Sequence, residues 1–97
     1  MLRITVTENA SEQRWTLQGR LTGNSTDELI ANWKTNRDSF PSRNFVVDLN
    51  DVISIDKDGE QALLMMMRDG AQFVATGLYT RHLLESLSMQ IANEADH

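Results

Sequence analysis

Hydrophobic and polar residues change rhythm several times along this chain, and each rhythm predicts an element. Leu2, Ile4 and Val6 alternate with Arg3, Thr5 and Thr7, the two-residue period of a half-buried strand. Residues 8–13 are polar and turn-like. Trp15, Leu17, Gly19 and Leu21 then alternate with Thr16, Gln18 and Arg20, so the two runs predict a β-hairpin with Trp15 facing inward. Ser25-Thr26-Asp27-Glu28 has the Ser-x-x-Glu spacing of a capping box. Leu29, Ile30 and Trp33 follow it at helical spacing, Trp33 anchoring the helix to the core. The helix is expected to end before Pro41, whose ring nitrogen has no proton to donate.

Phe45-Val46-Val47 is an unbroken apolar run, the pattern of a parallel strand covered on both faces. Residues 48–51 read as a loop carrying Asp48 and Asp51. Asp58 is expected to cap a second helix, with Gln61 returning the bond of a capping box. In that helix Leu63, Met66 and Met67 supply the inward stripe, Met65 is the exposed methionine, and Gly70 stops the helix. Residues 72–76 read as a short strand, and a last helix from Leu78 carries Leu83, Leu84, Leu87 and Ile91. The predicted order is β-β-α-β-α-β-α, an α/β fold with a mixed sheet of about four strands flanked by helices, its crossover from Phe45 to Val74 right-handed. Residues 1–92 are expected to form one domain and 93–97 a frayed tail.

Composition narrows the class of function. Hydrophobic residues make up 40% of the 97 residues and charged residues 24%, the balance of an ordinary globular chain. Cysteine is absent, which excludes a disulfide framework and a thiolate metal site. The longest apolar run, Ala62-Leu63-Leu64-Met65-Met66-Met67, is far short of the roughly 20 residues that span a bilayer. The alternating N-terminus lacks the apolar block of a signal peptide, so a cytoplasmic location is expected. Nine basic against 14 acidic residues give a net charge of −5, with no run of lysine or arginine. That argues against nucleic acid and toward protein or small-molecule partners.

The densest candidate chemistry lies in residues 45–59, where an apolar strand runs into Asp56-Lys57-Asp58-Gly59 and then a helix. Such junctions gather loop backbone, charge and a helix N-terminus at one sheet edge. An EF-hand register would place Asp56, Asp58 and Gly59 correctly, but its first ligand would be Ser54 and its bidentate twelfth Met65, which cannot hold a hard cation. The Asp-x-Asp-Gly spacing also resembles the nucleophile motif of haloacid-dehalogenase-type phosphatases. The threonine of that motif is replaced by Glu60, and too little chain follows for the remaining catalytic motifs. His82 reads as a solvated helix-face residue, since the only other histidine is terminal His97. No cofactor is expected.

A longer pattern covers nearly the whole chain: Leu17-x-Gly19-x-Leu21, Val46-Val47-Asp48-Leu49, Val52-x-x-Ile55-Asp56-x-x-Gly59, Ala62-Leu63 and Gly70-Ala71. In order and spacing it resembles the STAS domain family of anti-sigma-factor antagonists, sulfate-transporter tails, stressosome subunits and accessory subunits of lipid-transporting ABC systems. The resemblance implies a mixed sheet flanked by helices and a non-enzymatic, regulatory protein-binding role of the bacterial signalling type. In phosphorylatable members a serine or threonine precedes the glycine of the turn, and that position here is Asp58. A carboxylate there caps the helix or partly imitates a phosphate, with less charge and fewer acceptor oxygens. Ser54, the nearest hydroxyl, does not match the phosphoacceptor position.

The expected docking site is therefore Asp48, Asp51, Asp56, Lys57, Asp58 and Gly59, facing an anti-sigma-type serine kinase. The alternative partner is the ATPase subunit of a lipid-transporting ABC complex. More distant alternatives are a nucleotide sensor at the strand ends and a metal-dependent enzyme using Asp56 and Asp58.

Overall fold

The computed structural model describes residues 2–39 and 44–95. The alternating runs form β1 (Leu2–Glu8) and β2 (Glu12–Leu21), paired antiparallel from Leu2↔Gly19 to Glu8↔Gln13. Between them the Asn9 side chain accepts from the backbone N–H groups of Ser11 and Glu12, an Asx turn that closes the hairpin locally. Helix α1 (Asn24–Ser39), strand β3 (Asn44–Ile55), helix α2 (Lys57–Arg68), strand β4 (Gln72–Val74) and helix α3 (Leu78–Ala95) complete the predicted order. The sheet runs β1-β2-β3-β4, with β3 parallel to both its neighbours. Pro41 lies outside the described residues.

Helix α2 packs between α1 and α3, and the inward positions of the sheet meet this layer. Trp15, Leu17, Leu21, Phe45, Val47 and Leu49 join Leu29, Trp33, Leu63 and Met66 in one core. Trp33 sits at its centre, edge-on to Trp15 at 5.6 Å and to Phe45 at 4.8 Å. Such contacts contribute about 0.5–1.5 kcal/mol beyond the area they bury. Both indole N–H groups keep a partner. Trp15 Nε1 donates to Gln13 Oε1 at 2.7 Å and Trp33 Nε1 to Asp69 Oδ2 at 2.9 Å. Buried Gln13 in turn donates to Glu8 and Asn36.

Several expectations change. β3 is not covered on both faces: Val46 is buried but lies outside the core cluster, on the sheet face that carries Arg14 and Asp48. The 48–51 segment is strand rather than loop, with Thr16↔Asp48 and Gln18↔Asp51 in register. β3 keeps pairing because it absorbs two extra residues. Between Asp48 and Asp51, and again between Val52 and Ser54, it advances one residue further than β2. Both are bulges, which bend a strand without ending it.

The predicted capping box at Ser25–Glu28 is also displaced. α1 begins at Asn24, so Ser25 lies inside its first turn, and the N–H groups of Ser25 and Thr26 donate to the carbonyls of Thr22 and Gly23. Met65 is half-buried against the core, as is Met67, while Met66 is fully buried. Gly70 does stop α2. At φ 99° it completes a Schellman motif in which Gly70 N–H donates to Met67 O and Ala71 N–H to Met66 O. β4 ends at Val74, two residues short of the expected strand, and α3 stays helical through Asn93 to Ala95.

Candidate functional site

Leaving β3, the chain meets α2 at Asp56, and this residue organises the junction. Its backbone is extended, at φ −91° and ψ −174°, the conformation that lets a side chain fold back on the first helical turn. Oδ1 accepts from Gly59 N–H at 2.8 Å, making Asp56 the N-cap of α2. Oδ2 accepts from Gly23 N–H at 3.1 Å, on the turn that enters α1. The Asp56 N–H donates to Leu21 O, and its carbonyl accepts from Glu60 N–H. One residue thus ties the end of β2, the entry of α1 and the start of α2 together. Two backbone N–H groups already engage its carboxylate, which suits scaffolding better than chemistry.

Gly59 is the second fixed point, buried where α2 crosses the end of β2. A Cβ there would lie 2.4 Å from Leu21 O and 2.9 Å from Ile55 Cγ2. Only a hydrogen fits, because the first contact is backbone and cannot swing away.

Asp58 is not the cap that the sequence suggested. It lies inside the first turn of α2 and is exposed, as is Lys57. Its carboxylate stands near the positive end of the helix dipole without the task of closing the helix. The Asp-x-x-Gly spacing from Asp56 to Gly59 could have pointed to the true cap, since an N-cap oxygen bonds the N–H two or three residues on.

Asp48 and Asp51 belong to the same strand but to different surroundings. Asp48 pairs with Arg14 of β2 at 3.1 Å and accepts from Asn50 N–H at 2.9 Å. Asp51, exposed, accepts from Gln18 Nε2 at 3.4 Å. Both are cross-strand partners on β3, upstream of the turn. The structure therefore brings Asp56, Lys57, Asp58 and Gly59 into one site and leaves Asp48 and Asp51 along the sheet. Asn50, which the sequence reading did not single out, accepts from both the N–H and the hydroxyl of Thr76, at 2.8 and 3.0 Å. It fastens the loop between β4 and α3 to β3. Two apolar side chains at the start of α3, Leu78 and Tyr79, are exposed, as is Ile53, the extra residue of the second bulge.

No family model and no curated protein matches the sequence. Solved structures do match in fold. The crystal structure of an antisigma-factor antagonist STAS domain from Rhodobacter sphaeroides aligns with a TM-score of 0.59 at 21% identity, over 80% of this chain and 88% of that one. The structure of Mglu aligns equally well, with a TM-score of 0.59 at 18% identity, but this chain spans only 19% of it. An uncharacterised protein with a SpoIIAA-like fold from Shewanella loihica aligns over 95% of this chain and 76% of its own, at TM-score 0.56 and 10% identity. At identities of 10–21% the likeness is one of fold and carries no shared partner, and the fold of this chain is STAS-like.

Proposed function

We propose that this chain is a non-enzymatic protein-interaction module that docks through the start of α2. One observation carries the reading. Asp56 and Gly59 lock the helix start to β2, while Lys57 and Asp58 project from it into solvent. A rigid backbone presenting a small charged pair suits a partner that reads surface shape and charge. An anti-sigma-type serine kinase fits this arrangement, with Asp58 as a fixed, partial imitation of a phosphorylated side chain. A second reading, the accessory subunit of a lipid-transporting ABC complex, draws on the same position. Asp58 has no hydroxyl to modify, so a constitutive subunit needs nothing that this chain lacks.

Native co-purification followed by mass spectrometry separates the two, recovering a kinase or an ABC ATPase. With the partner in hand, calorimetry on Lys57→Ala/Asp58→Ala tests the site, and affinity equal to that of the parent chain overturns it. Asp58→Ser tests the imitation: tighter binding supports it, and unchanged affinity removes it. Titration with magnesium or calcium addresses the enzyme alternative, where tight binding lost in Asp56→Ala and Asp58→Ala would favour chemistry over docking. Titration with guanine nucleotides, followed by amide shifts across residues 56–61, does the same for sensing.

A further inference from the structure

The two edges of the sheet are built differently. On one side β4 pairs with only three residues of β3, and the rest of β3 carries two bulges and Asp51. Short strands, bulges and charges are the devices that prevent a foreign strand from adding to an edge. On the other side lies β1, seven residues long and in unbroken register with β2. Its sequence Leu2-Arg3-Ile4-Thr5-Val6-Thr7-Glu8 holds no proline, glycine or lysine, and four of its residues, Ile4 to Thr7, are β-branched in succession. No strand covers its outer side among the described residues. Of its inward positions, Ile4 is only half-buried and Val6 is 40% exposed.

We propose that the chain self-associates through β1, two copies pairing antiparallel about a two-fold axis at Thr5 so that their sheets become one. A second copy is the occupant because the strand complements itself in this register. All seven residues pair, with Ile4 opposite Val6 of the other copy and Thr5 opposite Thr5. On the helix side the rows then run without interruption: Leu17 and Ile4 lead to Val6 and Trp15 of the second copy, following the pairs Ile4↔Leu17 and Val6↔Trp15 within each. The half-exposed apolar side chains gain cover, and the edge N–H and C=O groups gain partners. Arg3 and Glu8 make β1 neutral within a chain of net charge −5, so the contact avoids the repulsion that other surfaces would meet.

Sedimentation equilibrium of the whole chain should report twice the 11.0 kDa monomer mass. Thr5→Lys sets like charges directly opposite while leaving β1–β2 pairing possible, and should weaken dimerisation by about fivefold. Circular dichroism of this variant should match that of the parent chain, as a folded monomer requires. Because the chain has no cysteine, Thr5→Cys supplies a single thiol, which should oxidise rapidly to a covalent dimer across the axis. Ser88→Cys, on exposed α3, should not. A monomer at every accessible concentration overturns the proposal. So does a dimer indifferent to Thr5→Lys, or one in which Ser88→Cys cross-links as fast as Thr5→Cys.

Discussion

A single carboxylate, that of Asp56, fastens two helix entries at once, and its removal should be felt at both. Asp56→Ala leaves the N–H groups of Gly59 and Gly23 without their acceptor and is expected to cost about 2 kcal/mol in chemical denaturation. Asp58→Ala removes an exposed first-turn acid and should stay within about 0.5 kcal/mol. Equal losses would restore Asp58 to the capping role. Gly59→Ala is more severe, because its Cβ would sit 2.4 Å from Leu21 O. We expect a loss of about 3 kcal/mol or more, with the crosspeaks of residues around Leu21 shifted in the amide spectrum. At this scale the sequence showed which acids lie near the turn but not which of them closes the helix. Asp56 and Asp58 both precede Gly59 in a polar stretch, and only the backbone path out of β3 decides which side chain reaches the free N–H groups.

Elements were easier to read than the bonds that join them. Period-two alternation identified β1 and β2 because one face of each is apolar and the other solvated, and α2 was recognisable from its inward stripe and Gly70. β3 was read too short, since Asp48, Asn50 and Asp51 look like a turn. They remain in the ladder because bulges accommodate the irregularity and Arg14 and Gln18 answer the two acids from β2. The end of α3 has its own electrostatic latch. Arg68 of α2 donates to Glu94, with one bond at 3.0 Å and a second from the same guanidinium. This hydrogen bonding, followed by the Coulombic attraction, holds the Glu94 carboxyl below its ordinary value of 4.5 and outweighs the opposing desolvation. A lowered carboxyl favours the folded state above the unfolded value and loses that contribution as pH falls through the folded one. The last turn of α3 should therefore loosen on acidification below the ordinary carboxyl range, seen as random-coil drift of carbon shifts across residues 91–95. Glu94→Gln should show the looser turn at neutral pH and no further response.

For the whole molecule, the three aromatic rings at the centre tie α1 to β2 and β3. Trp15 and Trp33 are both fully buried, so tryptophan emission reports directly on the meeting of α1 with the sheet. Fluorescence and far-ultraviolet circular dichroism should give coincident transitions, and a tryptophan transition that precedes the loss of helix would show α1 leaving first. Leu17→Ala, in the same core, should cost about 2–5 kcal/mol with both signals moving together. The second bulge of β3 bears on the molecule in another way. Ile53 has no opposite number in β2, and its neighbours Val52 and Ser54 already face consecutive residues, Gly19 and Arg20. Deleting it would restore a regular ladder and carry no core side chain to the wrong face of the sheet. A residue lost from any regular part of β3 would instead reverse every position beyond it. Chain length, usually a fixed quantity inside a sheet, is a free variable here, and it sets the reach and twist with which the strand delivers its helix.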